Sequence, residues 1–164
     1  MSDDALRALA ADSANALNIG KAAEHLVCAD LLLSGYQAYL SDQGLSYDVV
    51  VDLGAALIRI QVKASCFARN MNSQGRTPRV GYTFFSRRRG KKGHLRLENS
   101  HCDIVAFAAL DIRKIAYFPV VEVATTTQLH PPGYVFRGKY KRSKIFDISK
   151  YPFEDALGRI LKCP

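Results

Sequence analysis

Apolar positions in the chain first recur at helical spacing and later at strand spacing. Over 3–17, Ala5, Leu6, Leu9 and Leu17 form a modest apolar stripe that predicts a first helix. Asn18 is placed to cap a second helix over 19–34. There Ile19, Ala22, Ala23, Leu26, Val27, Leu31 and Leu33 mark an amphipathic face, and Gly35 stops it.

Beyond Gly35 the period shortens to two. Strands are predicted over 36–40, 47–53, 56–65, 79–86, 102–110 and 115–120, separated by turn residues. The stretch 66–78 reads as a polar loop, EVATTTQL (122–129) as a short helix and 153–161 as a closing helix. A helical start, a run of strands and a helical end imply an α/β domain around a central sheet. The chain is expected to form one domain over 1–164, with 1–18 as an N-terminal helical extension.

The strand IRIQVKAS (58–65) divides cleanly: Ile58, Ile60, Val62 and Ala64 on one face, Arg59, Gln61, Lys63 and Ser65 on the other. The predicted strand that contains it, 56–65, follows YDVVVDL (47–53) through the short stretch LGA (53–55), so the two are expected to pair as an antiparallel hairpin. Val49, Val51 and Leu53 then share one face, and Asp48, Val50 and Asp52 the other.

Composition narrows the classes. With 48% hydrophobic content in 164 residues the chain can bury a substantial core. The apolar runs LVCADLLL and DIVAFAAL are too short to span a bilayer, and the N-terminus lacks the layout of a secretory signal. A cytoplasmic protein without a membrane partner is therefore expected. Cys28, Cys66, Cys102 and Cys163 form no CxxC pair, which disfavours disulfides, and no second pair completes a zinc site around His101 and Cys102.

The net charge of +8 favours a polyanionic partner. The basic residues concentrate in SRRRGKKGHLR, with Arg87, Arg88, Arg89, Lys91, Lys92 and Arg96, and in RGKYKRSK, with Arg137, Lys139, Lys141, Arg142 and Lys144. Lysines and arginines in glycine-containing loops can track a phosphate backbone, and Tyr140 adds a stacking surface. The alternative is a solvated hairpin turn whose charges serve solubility.

Gln61 and Lys63 emerge on the same side, with Cα atoms about 6–7 Å apart at strand rise. A carboxylate from Asp48 and an amide oxygen from Gln61 are hard oxygen ligands of the kind Mg²⁺ accepts, and Lys63 can orient water or offset charge on a phosphate. Glu24 borders the apolar stripe of its helix, lining up with Val27, Cys28 and Leu31, so its carboxylate needs a partner. Water on a metal, Lys63 or an ordinary salt bridge would each serve. Ser65 can donate to a phosphate and Asp52 can support the site, although both also fit plain strand-face roles. Asp103 can fix a strand end, and His25 reads as a surface histidine.

The succession GKAAEHL, YDVVVD and IQVKAS resembles the PD-(D/E)XK nuclease superfamily, and more closely its PD-(D/Q)XK branch of group I intron-encoded homing endonucleases. The likeness runs from Ile19 to Val120, where CDIVAFAALDIRKIAYFPV is similar to the superfamily's later strands. It implies a restriction-endonuclease-like three-layer α/β/α fold with a central mixed sheet. Carried over by position, it implies catalytic roles for Glu24, Asp48, Gln61 and Lys63. It implies a Mg²⁺ or Mn²⁺ site drawing on Asp48, Gln61, Glu24 and the Val62 carbonyl. Tyr47 stands in place of the eponymous proline. Gln61 stands in place of an acid, which removes one negative charge. The expected activity is metal-dependent endonucleolytic hydrolysis of double-stranded DNA, homing or restriction-like, by a homodimer or homotetramer. The expected DNA contacts are Arg87, Arg88, Arg89, Lys91, Lys92, Lys139, Lys141 and Arg142. A structure-selective junction or repair nuclease, a non-catalytic DNA-binding module on the same fold and, more remotely, an RNA-binding domain are the alternatives.

Overall fold

The computed structural model describes residues 15–71, 79–90, 93–135 and 146–162, with the backbone path alone for 88–90 and 93–95. Helix α1 spans Ala16–Leu33 and buries Ala23, Val27 and Leu31, spaced at successive turns on one face. It starts before the expected position, so Asn18 lies inside its first turn and caps nothing; Asn15 precedes it. The predicted helix over 3–17 falls largely outside the described residues. At the other end Gly35 adopts φ 88°. The Gly35 amide donates to the Leu32 carbonyl and the Tyr36 amide to that of Leu31, each at 3.0 Å. This paired closure needs a left-handed residue, which glycine supplies without Cβ strain.

A five-stranded mixed sheet forms the centre: β1 (Gln37–Leu40), β2 (Val49–Asp52), β3 (Leu57–Ser65), then β8 (Ile104–Ala109) and β9 (Lys114–Pro119). All neighbours are antiparallel except β3 and β8, which run parallel with Ile60 opposite Ile104 and Ser65 opposite Ala109. The intervening chain makes the crossover that a parallel pair requires. It carries β4 (Arg69–Asn70), β5 (Val80–Phe85), β6 (Arg87–Gly90) and β7 (Gly93–Arg96). Every residue of β8 is buried, as befits a central strand covered on both faces.

The odd and even positions of β8 feed two separate cores. Ile104, Ala106 and Ala108 meet α1, together with Ile58, Ile60 and Val62 of β3 and Phe153 and Ala156 of the closing helix α2 (Phe153–Lys162). Both helices therefore cover the same face of the sheet. The Tyr117 ring of β9 lies 5.5 Å from that of Phe153 in an edge-on contact, and its hydroxyl donates to Asp30 of α1 at 2.7 Å. On the other face Val105, Phe107 and Ala109 pack with Tyr82 and Phe84 of β5. The fold is the expected restriction-endonuclease-like α/β class with a mixed central sheet. Among the described residues, its outer layer on this second face is a small sheet in which β5 lies between β4 and β10 (Thr126–Leu129), where a helix was expected.

The segment read as a short helix accounts for part of that layer. Val120–Glu122 make one 3-10 turn, and Thr126–Leu129 form strand β10, antiparallel to β5. Three consecutive threonines at 125–127 are stiff at χ1 and suit an extended backbone, and β5 offers the pairing edge. Within the expected loop at 66–78, Arg69–Asn70 pair with Val80–Gly81; 72–78 lie outside the described residues. Among the described residues no helix is long and apolar enough to cross a membrane.

Candidate active site

The hairpin β2–β3 forms as its alternation requires. Val49 and Val51 stand opposite Ile60 and Ile58, which turns the apolar row into the α1 core. At the turn, Gly54 adopts φ 78° and donates its amide to Asp52 Oδ1 at 2.7 Å. Asp52 is thus occupied in closing the hairpin at the far end from the polar cluster.

At the opposite end, the Asp48 amide extends the ladder by donating to the Ile60 carbonyl at 2.8 Å. This places Asp48 across from Gln61, on the same face. Its Oδ2 accepts from the Val62 amide at 2.7 Å and also from Gln61 Nε2. In a strand the N–H and C=O of one residue point to the same side. The Val62 carbonyl therefore projects beside Asp48 too, past the end of β2. One carboxylate is surrounded by an amide side chain, a main-chain donor and a main-chain acceptor from consecutive residues of β3.

Electrostatics bind this cluster to its neighbours. Burial pushes the Asp48 carboxyl above the ordinary carboxylate range; nearby Glu24 pushes the same way, while the Val62 N–H, Lys63 and Lys21 oppose it. Burial also holds Lys63 below the usual lysine range, against the attraction of Asp48. Glu24, from the third turn of α1, joins Asp48 in lining a cleft of about 200 Å³, walled by α1 on one side and by the loop 41–48 on the other. Its partner is neither Lys63 nor an unexplained charge but Lys21, whose Nζ lies 2.6 Å from Glu24 Oε2. Sequence reading passed over Lys21. Its signal was the i, i+3 spacing from Glu24 on a helix.

The other candidates divide. Asp103 binds Arg59: its Oδ2 accepts from the Arg59 amide at 2.8 Å and from Nε at 3.1 Å, and its Oδ1 from a terminal guanidinium nitrogen at 2.8 Å. It fixes the entry of β8 against β3, as a strand-end residue. Ser65 follows Lys63 on the same face, with its hydroxyl 3.5 Å from the Phe67 carbonyl. His25 is exposed. Arg87 is exposed at the start of the β6–β7 hairpin, whose register sets Arg87 opposite Arg96. Arg96, by contrast, donates to the Val121 and Val123 carbonyls at 3.5 and 3.0 Å, anchoring the hairpin to the 3-10 turn. The side chains of Arg88 and Arg89, and all of Lys91, Lys92, Arg137, Lys139, Tyr140, Lys141, Arg142 and Lys144, lie outside the described residues.

The cluster suits a hard divalent cation. Among the described residues no three acidic, histidine or cysteine side chains gather as ligands. The available donors are instead two carboxylates, Asp48 and Glu24, one carboxamide and the Val62 carbonyl, all oxygens of the kind Mg²⁺ and Mn²⁺ accept while retaining water. Glu24 disfavours the charged form of Asp48, an effect that a cation beside them would relieve. A larger cleft of about 630 Å³ lies elsewhere, between Phe107 and Phe118 of the main sheet and Thr126–Gln128. The acid on its wall, Glu122, is already paired with Arg159 at 2.6 Å.

Residues 14–131 match the sequence profile of a family described as PD-(D/E)XK endonuclease. Among solved structures the chain is similar to a bacterial homing endonuclease, I-Ssp6803I, with a TM-score of 0.57 over 77% of this chain and 84% of that one. The two are 19% identical, so this likeness establishes a shared fold. No curated protein matches the chain significantly in sequence.

Proposed function

The chain belongs to the PD-(D/E)XK endonuclease family, and from that premise we propose that it is a Mg²⁺- or Mn²⁺-dependent endonuclease that hydrolyses phosphodiester bonds of double-stranded DNA. What supports the reading is the convergence of Asp48, Gln61, Val62 and Lys63 at one end of a hairpin, with Glu24 brought by α1 into the cleft that Asp48 lines.

Asp48 and Glu24 supply the anionic oxygens that hold the cation, and the Val62 carbonyl supplies a neutral one. The Gln61 carboxamide has a donor and an acceptor end. It donates to Asp48 and can instead turn its oxygen to a cation. A bound divalent cation contributes Lewis acidity toward the phosphate and toward water. Lys63, whose ammonium is disfavoured by burial, sits two residues beyond Gln61 on the same face. There it orients the attacking water and offsets charge developing on the phosphate oxygens. Water attacks phosphorus as the bond to the leaving oxygen breaks. The net charge of +8 and the exposed Arg87 favour attraction of the phosphate backbone, with Arg88, Arg89, Lys91, Lys92, Lys139, Lys141 and Arg142 as further contacts. Cutting both strands calls for two such sites, which a two-fold homodimer, or a homotetramer made of two, provides.

The test incubates wild type and Lys63→Met with supercoiled plasmid, linear duplex and a four-way junction, with and without Mg²⁺. Mg²⁺-dependent cleavage of duplex that is lost in Lys63→Met is the expected result. Cleavage of the junction alone would make the enzyme structure-selective. DNA binding by both proteins without cleavage of any substrate would make the chain a non-catalytic DNA-binding module.

A further inference from the structure

Glu24 already meets a cation from its own helix, and that cation is Lys21. The two side chains share one face of α1 and are joined at 2.6 Å, with the Glu24 side chain 14% exposed and that of Lys21 38% exposed. Lys21 lines the same cleft as Asp48 and interacts with it electrostatically. The cleft is lined by the carboxylates of Glu24, Asp48 and Asp42 and by the ammonium of Lys21, which is committed to Glu24, while Lys63 acts on Asp48 from within the sheet. Each ammonium so placed offsets part of the negative charge that draws a divalent cation in, so the cation gains less than it would from bare acids. Its approach to Glu24 also displaces an ammonium group that already occupies that carboxylate.

The two lysines differ in freedom. Lys63 is held on β3 opposite Phe107 of β8, past the end of β2, and is largely removed from solvent. Lys21 sits on a long flexible stem at the mouth of the cleft, so it can leave Glu24 without disturbing the core. Once released, it lies where a DNA phosphate must approach to reach the cation.

We propose that Lys21 is an exchangeable counter-ion: it holds Glu24 in the metal-free protein, yields Glu24 to the divalent cation, and moves to a phosphate of the bound DNA. This rests on the reading of the cleft as the metal site of a DNA nuclease. Its consequence is coupling. Metal binding frees a cation for DNA, and DNA draws that cation off Glu24, so by linkage each ligand strengthens the other. Lys21 is a positioning residue in this scheme, acting on the metal through Glu24.

The experiment measures Mn²⁺ binding calorimetrically to the full chain without DNA, for wild type, Lys21→Met, Lys21→Arg and Asp48→Asn. Lys21→Met should bind Mn²⁺ about three- to tenfold more tightly than wild type, the range for losing one partly exposed competing charge, while Lys21→Arg should restore wild-type affinity. A second arm follows duplex binding in Mn²⁺ in the Lys63→Met background. Adding Lys21→Met there should reduce the slope of log affinity against log salt by about one phosphate contact. Mn²⁺ affinity in Lys21→Met equal to or weaker than wild type, or an unchanged salt slope, would overturn the exchange. A wild type that binds no Mn²⁺, or an Asp48→Asn protein that binds it as wild type does, would instead remove the reading of the metal site itself.

Discussion

Gln61 donates its side-chain amide to the Asp48 carboxylate, so the neutral residue at the position of the family's usual acid stabilises its neighbour's charge. A glutamate there would lose the donor and put a further acid beside Asp48 and Glu24. Gln61→Glu should therefore destabilise the protein in EDTA by about 1–3 kcal/mol, the scale for an unmade bond and an added like charge at a half-buried site. Mn²⁺ should restore it and raise the melting temperature by more than it does in wild type. Thermal melts with EDTA and with Mn²⁺ check this. An identical Mn²⁺-induced shift in both proteins would place Gln61 outside the metal site.

Arg59 and Asp103 make a second paired arrangement with a structural purpose. The guanidinium that binds Asp103 also donates to the carbonyls of Ser100 at 3.3 Å and Asn99 at 2.7 Å, while the Asp103 amide donates to the Arg59 carbonyl at 2.8 Å. Asp103→Ala strands a partly buried guanidinium and an amide donor. It should cost about 1–3 kcal/mol in urea unfolding. The residual folded protein should cleave DNA at the wild-type rate and bind Mn²⁺ unchanged. Full loss of cleavage with normal folding and metal affinity would move Asp103 into the chemistry.

His130 makes stability depend on pH. It is buried, its ring stacks on Tyr134 at 4.4 Å, and Nδ1 lies 2.7 Å from the Val80 carbonyl, which can only accept, so Nδ1 carries the hydrogen. Burial holds its pKa below the ordinary histidine value of 6.5; Arg79 adds to the shift, and the Val80 carbonyl opposes it. The unfolded chain therefore binds more protons than the folded one below about pH 6.5. The stabilisation is complete above that pH and is lost as pH falls from there through the folded value. Melting temperatures between pH 7.5 and 5.5 should decline in wild type and flatten in His130→Gln. Comparing the slopes, rather than the absolute values, separates titration from any packing loss. Equal slopes would assign the decline to other groups.

The hairpin that carries Asp48, Gln61 and Lys63 was legible in sequence because its signal is local. Period-two alternation set the faces of β2 and β3, and a short connection set their pairing. Gly35 was equally readable, since a left-handed helix end calls for glycine. The partner of β3 on its other side was not, because β8 arrives in parallel only after a long crossover whose contacts leave no periodic trace. For the same reason Thr126–Leu129 read as helix: what makes it a strand is the open edge of β5, supplied by tertiary structure. Of the candidate site, Asp48, Gln61 and Lys63 followed from strand register. The attachment of Glu24 to Lys21 did not, because i, i+3 ion pairs are common on helices and become notable only when the cleft behind them is known.

Gly81 shows how closely the small sheet is fitted on the second face of the main one. A Cβ there would sit 2.8 Å from the Leu129 carbonyl oxygen of β10 and 3.2 Å from His130 Nδ1, as well as against the end of Met71. The Met71 side chain can turn aside, but the Leu129 carbonyl is main chain in the neighbouring paired strand and cannot move without shifting β10. Gly81→Ala should therefore be destabilising despite the better intrinsic strand propensity of alanine, by about 1–3 kcal/mol as overpacking of a tight site. The urea midpoint should fall with the m-value unchanged. Mn²⁺ affinity should stay at the wild-type level, because Asp48 and Glu24 depend on the hairpin and α1 rather than on β10. A Gly81→Ala protein as stable as wild type would mean that β10 adjusts freely, and that the second face is covered far more loosely than the burial of Tyr82, Phe84 and Leu129 indicates.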